Sequence, residues 1–192
     1  MTDPPEFKLS RKGGEYVGKR SKSISGFPCA TWLSHNESSE ILLPGFSDEV
    51  DASHRFCRNP NGQPHGPWCY VDADAGPEWE YCDVPFFSDV HGERCDVRIE
   101  GHCVHPRECK MDVTGLSYTG RKNVTIKGHQ CQRWMSNFPN DQLLFGTENQ
   151  TFPDDLHLQH NFCRNPTGDE GGPWCYKSNG IGLDYCDIPI CY

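Results

Sequence analysis

Hydrophobic residues along this chain come in short runs, and no stretch keeps the regular spacing of an amphipathic helix. One such run is Trp174-Cys175-Tyr176-Lys177, and the runs are separated by turn-forming pairs such as Asn-Pro, Gly-Pro and Asn-Gly. This arrangement predicts brief antiparallel strands joined by turns. We therefore expect a fold made mostly of loops.

One sequence pattern occurs twice along the chain. Three short words recur around cysteines, namely FCRNP, GPWCY and YCD followed by Ile-Pro or Val-Pro. The cysteines in these words are Cys57, Cys69 and Cys82 in the first copy and Cys163, Cys175 and Cys186 in the second. Cys29 and Cys131 align upstream of them. Because a repeat defines domain organisation, the pattern predicts two modules of similar length.

The two copies set the expected domain limits. We expect a disordered tail at residues 1–5, a first module at 6–87, a linker at 88–108 and a second module at 109–191. The second copy contains six cysteines, whereas the first contains four. Phe7 and Phe87 occupy the positions of the first copy that correspond to Cys109 and Cys191.

The composition is typical of secreted modules held together by disulfides. The 192 residues include 12 cysteines, 19 glycines and 15 prolines. Modules of this size bury too small a hydrophobic core to dispense with cross-links. Sequons at Asn36, Asn123 and Asn149 are candidate glycosylation sites and indicate the same extracellular setting. The sequence shows neither a signal peptide nor an apolar membrane span, and its last cysteine, Cys191, stands one residue from the end. We therefore expect a piece of a longer protein that is either secreted or membrane-anchored.

The linker contains two further cysteines, Cys95 and Cys103. The simplest assignment pairs them with each other, because the two modules use the other ten cysteines. The nearby His91, His102 and His105 suggest zinc as an alternative, but zinc needs free thiolates and an extracellular setting favours a disulfide. We therefore expect a disulfide that stiffens the linker, and no metal or other cofactor.

The cysteine spacing and the repeated words together resemble the kringle domain over about 165 of the 192 residues. The resemblance implies two small, disulfide-rich kringle modules, mostly loops with short antiparallel β-strands. It also implies a nested cysteine pairing, which the cysteine count alone leaves open. The implied bridges are Cys29–Cys69, Cys57–Cys82, Cys109–Cys191, Cys131–Cys175 and Cys163–Cys186.

The first module lacks the bridge that would join its two ends. Closing a loop of about 80 residues is worth roughly 4.5 kcal/mol in the loop-entropy model. Two buried phenylalanines offer about 1.5–3 kcal/mol each, with some gain if the rings touch. We expect Phe7 and Phe87 to pack against each other in place of the disulfide; the alternative is two independent surface residues.

Many kringles have a lysine-binding groove, and the resemblance implies where it would lie in each module. The family's groove has two acids after the Asn-Pro pair, an aromatic trough and a cation near the fifth cysteine. The second module has one expected acid, Asp169, with Thr167 at the other acidic position. It keeps Trp174 and Tyr176 in the trough, and Gly182-Leu183 replace the cation and its aromatic neighbour.

The first module departs further from the groove pattern. Asn61 and Gln63 replace both acids, and Glu78 stands where a cation is expected. The aromatic candidates that remain are Trp68, Tyr70 and Trp79. An aromatic trough without its anionic end has little reason to prefer an ammonium group over water. We therefore predict weak or absent lysine binding by both modules.

Other aromatic and basic residues have simpler interpretations. Trp32, Trp68, Trp134 and Trp174 lie in repeated words and are expected to pack in the cores. A cluster of cations near the start of the chain is a candidate site for heparan sulfate, anionic lipid or an acidic protein patch, with an ordinary solvated surface as the alternative. The cluster contains Lys8, Arg11, Lys12, Lys19, Arg20 and Lys22.

The expected function is extracellular recognition without catalysis. Every cysteine has a disulfide partner to form, and the sequence contains no nucleophile or phosphate-binding motif. A net charge of −9 argues against nucleic-acid binding. The expected partner is an extracellular protein, with heparan sulfate as a second candidate. Two alternatives remain: the regulatory segment of a trypsin-like protease zymogen, and part of a receptor or growth-factor ectodomain.

Overall fold

A computed structural model of the protein describes residues 2–35, 41–92, 94–142 and 151–192. The chain divides into two compact units. One unit consists of Met1–Glu93 and Met135–Phe138, and the other of Arg94–Trp134 and Pro139–Tyr192. Within the described ranges, no helix has both the length and the hydrophobicity that a membrane crossing requires.

Regular secondary structure is sparse and consists mainly of two-stranded antiparallel sheets. In the first unit β1 (Trp68–Tyr70) pairs with β2 (Trp79–Tyr81). In the second, β3 (Arg98–Ile99) pairs with β4 (His102–Cys103), and β5 (Trp174–Tyr176) pairs with β6 (Leu183–Tyr185). Short 3₁₀ helices cover Trp32–Ser34 and Leu43–Gly45, and α1 covers Phe87–His91. This confirms the predicted small fold of loops and short antiparallel strands.

Six disulfides include all twelve cysteines. The inner bridges of the two modules are Cys29–Cys69, Cys57–Cys82, Cys131–Cys175 and Cys163–Cys186. Cys109–Cys191 joins the ends of the second module, and Cys95–Cys103 closes the linker hairpin. The zinc alternative for the linker is wrong, because its two thiols are bonded to each other.

Aromatic side chains pack around the inner disulfides of each module. The four repeated tryptophans are all buried, as their expected structural role requires: Trp32, Trp68, Trp134 and Trp174. Trp32 donates its indole N–H to the carbonyl oxygen of Phe56 at 2.8 Å, and Trp134 donates to that of Phe162 at 2.7 Å. These bonds satisfy polar groups that burial would otherwise leave unpaired.

A close approach of tyrosine to glycine recurs in both modules. The buried ring of Tyr16 lies over Gly18, and Tyr118 lies over Gly120 in the same way. A Cβ atom at either glycine would overlap the tyrosine hydroxyl. The Tyr-x-Gly spacing therefore fixes the path of the chain before Cys29 in the first module and before Cys131 in the second.

Each module also contains a polar network of arginine, aspartate and histidine, which is buried in the second module and partly exposed at Asp48 in the first. In the second module Arg164 makes two hydrogen bonds to Asp154, at 2.9 and 2.6 Å, and His160 Nε2 lies 2.8 Å from the same carboxylate. In the first module Arg58 and His54 contact Asp48 in the same arrangement. The carboxylate gains a charged partner and a second hydrogen bond, which offsets the cost of burying it.

The ends of the first module meet without a disulfide. Lys8 N–H donates to the carbonyl oxygen of Pro85 at 2.8 Å, and Phe87 N–H donates to that of Lys8 at 2.9 Å. The expected ring contact is present, with Phe7 and Phe87 centroids 5.1 Å apart in an edge-on arrangement. The second module makes the same backbone bonds around Lys110, beside Cys109–Cys191.

The linker hairpin belongs to the second unit and packs on its body. Its residue Val97 is buried. Asp155 N–H donates to the carbonyl oxygen of Arg98 at 2.8 Å, and Gly101 N–H donates to Asp155 Oδ2 at 2.7 Å. His157 Nε2 lies 2.8 Å from the carbonyl oxygen of Asp96. From Arg94 onward the linker is thus an ordered part of the second unit.

Candidate functional site

The first module presents an aromatic trough on the β1–β2 hairpin. Antiparallel pairing places Tyr70 opposite Trp79, and both side chains are partly exposed. Trp68 is fully buried, with its ring centroid 5.1 Å from that of Tyr70 and 6.0 Å from that of Trp79. Trp68 therefore supports the trough from below, while Tyr70 and Trp79 form its accessible surface.

The positions that would carry acids in the first module are uncharged. Asn61 Oδ1 accepts the indole N–H of Trp68 at 3.0 Å. Gln63 is buried, and its backbone N–H and C=O both bond to the side chain of Asn59. Glu78 is exposed next to Trp79. Glu78 thus places a carboxylate at the end of the trough where a cation was expected.

His35 extends the aromatic surface of the first trough. Its ring stacks on Tyr70 with 4.0 Å between centroids and 19° between planes. Sequence reasoning missed this residue, because His35 lies outside the repeated words and far from Tyr70 along the chain. Only a three-dimensional structure brings the two rings together.

The second module has a trough of similar construction but different chemistry. Trp174 is buried, its ring centroid lies 5.3 Å from that of Tyr176, and Tyr176 lies opposite Leu183 across β5 and β6. Leu183 thus takes the place that Trp79 has in the first module. Ile181, Leu183 and Tyr185 are all exposed, so this hairpin carries an apolar surface.

The remaining candidate acid of the second trough already has partners. Asp169 Oδ1 accepts the Tyr185 hydroxyl at 2.7 Å and the Gly171 N–H at 2.8 Å. These hydrogen bonds, that from Gly171 first, lower the pKa of the Asp169 carboxyl, and the bond to Asp169 raises the pKa of Tyr185. The carboxylate is therefore ionised but engaged within the module. Thr167, at the other acidic position, is exposed.

The six candidate cations at the start of the chain do not form one surface. Lys8 is buried, and its ammonium donates to the carbonyl oxygens of Arg11 and His65 at 3.0 and 2.9 Å. Its inclusion in a surface cluster was wrong, because the fold needs it inside the first module. Lys19 pairs with Asp3 at 2.6 Å and Arg20 lies 3.8 Å from Glu6. Arg11, Lys12 and Lys22 are exposed.

The candidate glycosylation sites can be placed only in part. Asn36 and Asn149 lie outside the described residues. Asn123 is partly exposed, and its side-chain amide lies 3.4 Å from Asn161 Oδ1. Glycosylation at the three sequons stays a prediction.

The class of this protein follows from its two disulfide-held modules. Each module has buried tryptophans and an aromatic trough on its central hairpin. A family model for the kringle domain matches residues 9–86 and 109–191. The chain therefore belongs to the kringle family and carries two kringle domains in tandem. Kringle domains are non-catalytic modules that generally bind proteins and are typical of extracellular proteins.

Proposed function

We propose that this tandem pair binds an extracellular protein through the two troughs and that neither trough recognises lysine. The partner surface is apolar and aromatic rather than a free or carboxy-terminal lysine side chain. The observation that carries the proposal is the state of the two expected acidic positions, which are both uncharged in the first trough, whereas the second trough has a single carboxylate already held by Tyr185 and Gly171.

The first trough favours flat, apolar groups from a partner. Tyr70, Trp79 and the stacked His35 offer ring faces, and such rings contribute most of the energy at many protein interfaces. An ammonium would find ring faces there but no carboxylate at the expected end. The exposed Glu78 would repel the carboxylate of a zwitterionic ligand.

The second trough favours apolar side chains for a different reason. Gly182 and Leu183 stand where a cation and an aromatic ring are expected, and the exposed Ile181 and Leu183 lie beside Tyr176, so this hairpin offers hydrophobic area without the expected cation. Burial of such area favours protein association, and only the surplus over the free-energy cost of association appears as affinity. Both hydrogen bonds to Asp169 are accepted by Oδ1, so an ammonium at this carboxylate would share its charge with the Tyr185 hydroxyl.

Titration of the isotope-labelled pair with 6-aminohexanoate tests the lysine part of the proposal. We expect no saturable NMR shifts at Tyr70, Trp79 or Tyr176. A micromolar dissociation constant read from these residues would contradict it. The matched variant is Gln63→Asp, which restores one acid to the first trough and is expected to gain weak affinity there if the assignment of positions is right.

Photo-crosslinking tests the protein-binding part. A photoreactive residue at Glu78 or at Ile181 lies at the rim of one trough, whereas one at the exposed His102, on the β3–β4 hairpin of the second unit, serves as a control. We expect the trough positions to capture a common partner from extracellular fluid and Trp79→Ala or Leu183→Ala to reduce capture. Equal capture by the control position, or no effect of the two alanines, would reject the troughs as the binding surface.

A further inference from the structure

A small pocket lies where the linker hairpin meets the start of the second kringle. The pocket has a volume of about 250 Å³, and Ile99, Val104 and Met111 form apolar parts of its wall. Its residues lie within 99–119, so the pocket is built entirely inside the second unit. It is separate from β5 and β6, which carry the trough.

The hairpin wall of the pocket is held firmly in place. Cys95–Cys103 closes the hairpin, and Asp155 fixes it to the module through bonds to Arg98 and Gly101. Val97 inserts on the inner side and is 1% exposed. A wall fixed by covalent, polar and apolar contacts gives a pre-formed pocket, which lowers the cost of binding a ligand.

The polar side chains at this pocket have hydrogen-bonding capacity to spare. Within the described ranges, the guanidinium of Arg107 and the hydroxyls of Ser117 and Thr119 have no hydrogen-bond or ion-pair partner. The neighbouring carboxylate of Glu108 is taken up by the Tyr118 hydroxyl and by Arg121. Glu108 therefore does not neutralise Arg107.

We propose that this pocket binds a small organic carboxylate carried on a short apolar group. The carboxylate pairs with Arg107 and accepts hydrogen bonds from Ser117 and Thr119, and the apolar group contacts Ile99, Val104 and Met111. The volume lies below the range of drug-sized sites, which limits the ligand to a single small acid or to the last residue of a chain.

The test uses the intact two-module protein and NMR signals of Ser117 and Thr119. The probes are 4-methylpentanoate, a free branched acid, and N-acetyl-leucine, which mimics the end of a peptide chain. N-acetyl-leucinamide has the same apolar group without the charge. We expect saturable shifts with both acids and none with the amide. Tighter binding of either acid supports the site and assigns its source.

Two matched arginine variants complete the test. Arg107→Gln is expected to weaken acid binding roughly tenfold, the loss typical of one charge-assisted hydrogen bond. Arg94→Gln is the control, because Arg94 lies on the same linker and pairs with Asp96 at 3.6 Å. The proposal is overturned by absence of shifts, by equal shifts with the amide, or by equal losses in the two variants. None of these outcomes bears on the proposed function of the troughs, because the NMR signals of the trough residues are recorded separately.

Discussion

Lys8 and Phe86 show how single residues compensate for a missing disulfide. In the second module Lys110 and Ile190 occupy the same bridge beside Cys109–Cys191. In the first, the Lys8 ammonium lies 4.5 Å from the centre of the Phe86 ring and is buried, which lowers the pKa of its amine to about 8. We infer that Phe86 and the buried lysine join the Phe7–Phe87 contact in closing the first module.

A cysteine pair is expected to restore the bridge in the first module. The backbone bonds around Lys8 match those around Lys110, so Phe7→Cys/Phe87→Cys should form a disulfide during oxidative refolding. The disulfide raises the free energy of unfolding by roughly 4.5 kcal/mol in the loop-entropy model. Loss of a fully buried phenylalanine lowers it by about 1.5–3 kcal/mol. Because Phe87 is 47% exposed, we expect a net gain of about 1–2 kcal/mol in unfolding free energy.

Non-reducing peptide mapping and denaturant unfolding measure the two parts of this prediction. The single variant Phe87→Cys is the control and should keep a free thiol with lower stability. A double variant that refolds with both thiols free would show that the two ends of the module are not positioned as described.

His160 makes the second module sensitive to mild acid. Complete burial lowers the pKa of His160 from 6.5 to about 4 despite its bond to Asp154. The unfolded chain therefore binds more protons between these two values, so stability is fully present above about pH 6.5 and is lost as pH falls toward about pH 4. Asp154, with its pKa lowered to about 2, loses its contribution only below this window.

We expect the second module to lose about 2 kcal/mol of unfolding free energy between about pH 7 and pH 4.5. Guanidinium unfolding of the intact pair, followed by NMR signals of the second module, measures this loss. The His160→Gln variant should have a lower free energy of unfolding at neutral pH, and this free energy should change less between about pH 7 and pH 4.5. The exposed His102→Gln is the control and should keep the wild-type slope. An unchanged slope in His160→Gln would exclude His160 as the titrating group.

At the scale of elements, the three hairpins have distinct tasks. The β1–β2 and β5–β6 hairpins share one register but place Trp79 and Leu183 at the same trough position. The β3–β4 hairpin is fastened to the second module by Asp155. The linker thus forms part of the surface of the second unit and does not only connect the two modules.

Removal of the linker disulfide is expected to loosen this hairpin locally. A ring of nine residues is worth roughly 2–3 kcal/mol in the loop-entropy model. In Cys95→Ser/Cys103→Ser, the Val104 N–H that donates to Val97 at 3.0 Å should exchange with solvent at least about tenfold faster. Amides of β5 and β6 serve as the internal control. Unchanged protection of Val104 would mean that packing and Asp155 alone hold the hairpin.

At the scale of the molecule, the fold could be predicted because the cysteine spacing and the repeated words resemble the kringle domain, which implied both the fold and the nested disulfide pairing. The resemblance also named Tyr70, Trp79 and Tyr176 as trough candidates, but the structure was needed to show the hairpins that carry them. The resemblance did not reveal His35 on Tyr70 or the burial of Lys8, since both depend on residues distant in sequence. Arg58 and Arg164 stand inside repeated words, yet nothing local indicates Asp48 and Asp154 as their partners.

Heparin binding is expected to be weak for the whole molecule. The net charge is −9, Lys8 is buried, and Lys19 is paired with Asp3. At physiological ionic strength the Debye length is about 8 Å, so salt screens the charges of exposed cations. The remaining cations therefore attract a sulfated chain only weakly. We expect elution from heparin at or below about 0.15 M salt. Asp3→Asn, which releases Lys19, should delay elution slightly, whereas retention of the unmodified pair well above that salt concentration would restore the basic segment as a binding site.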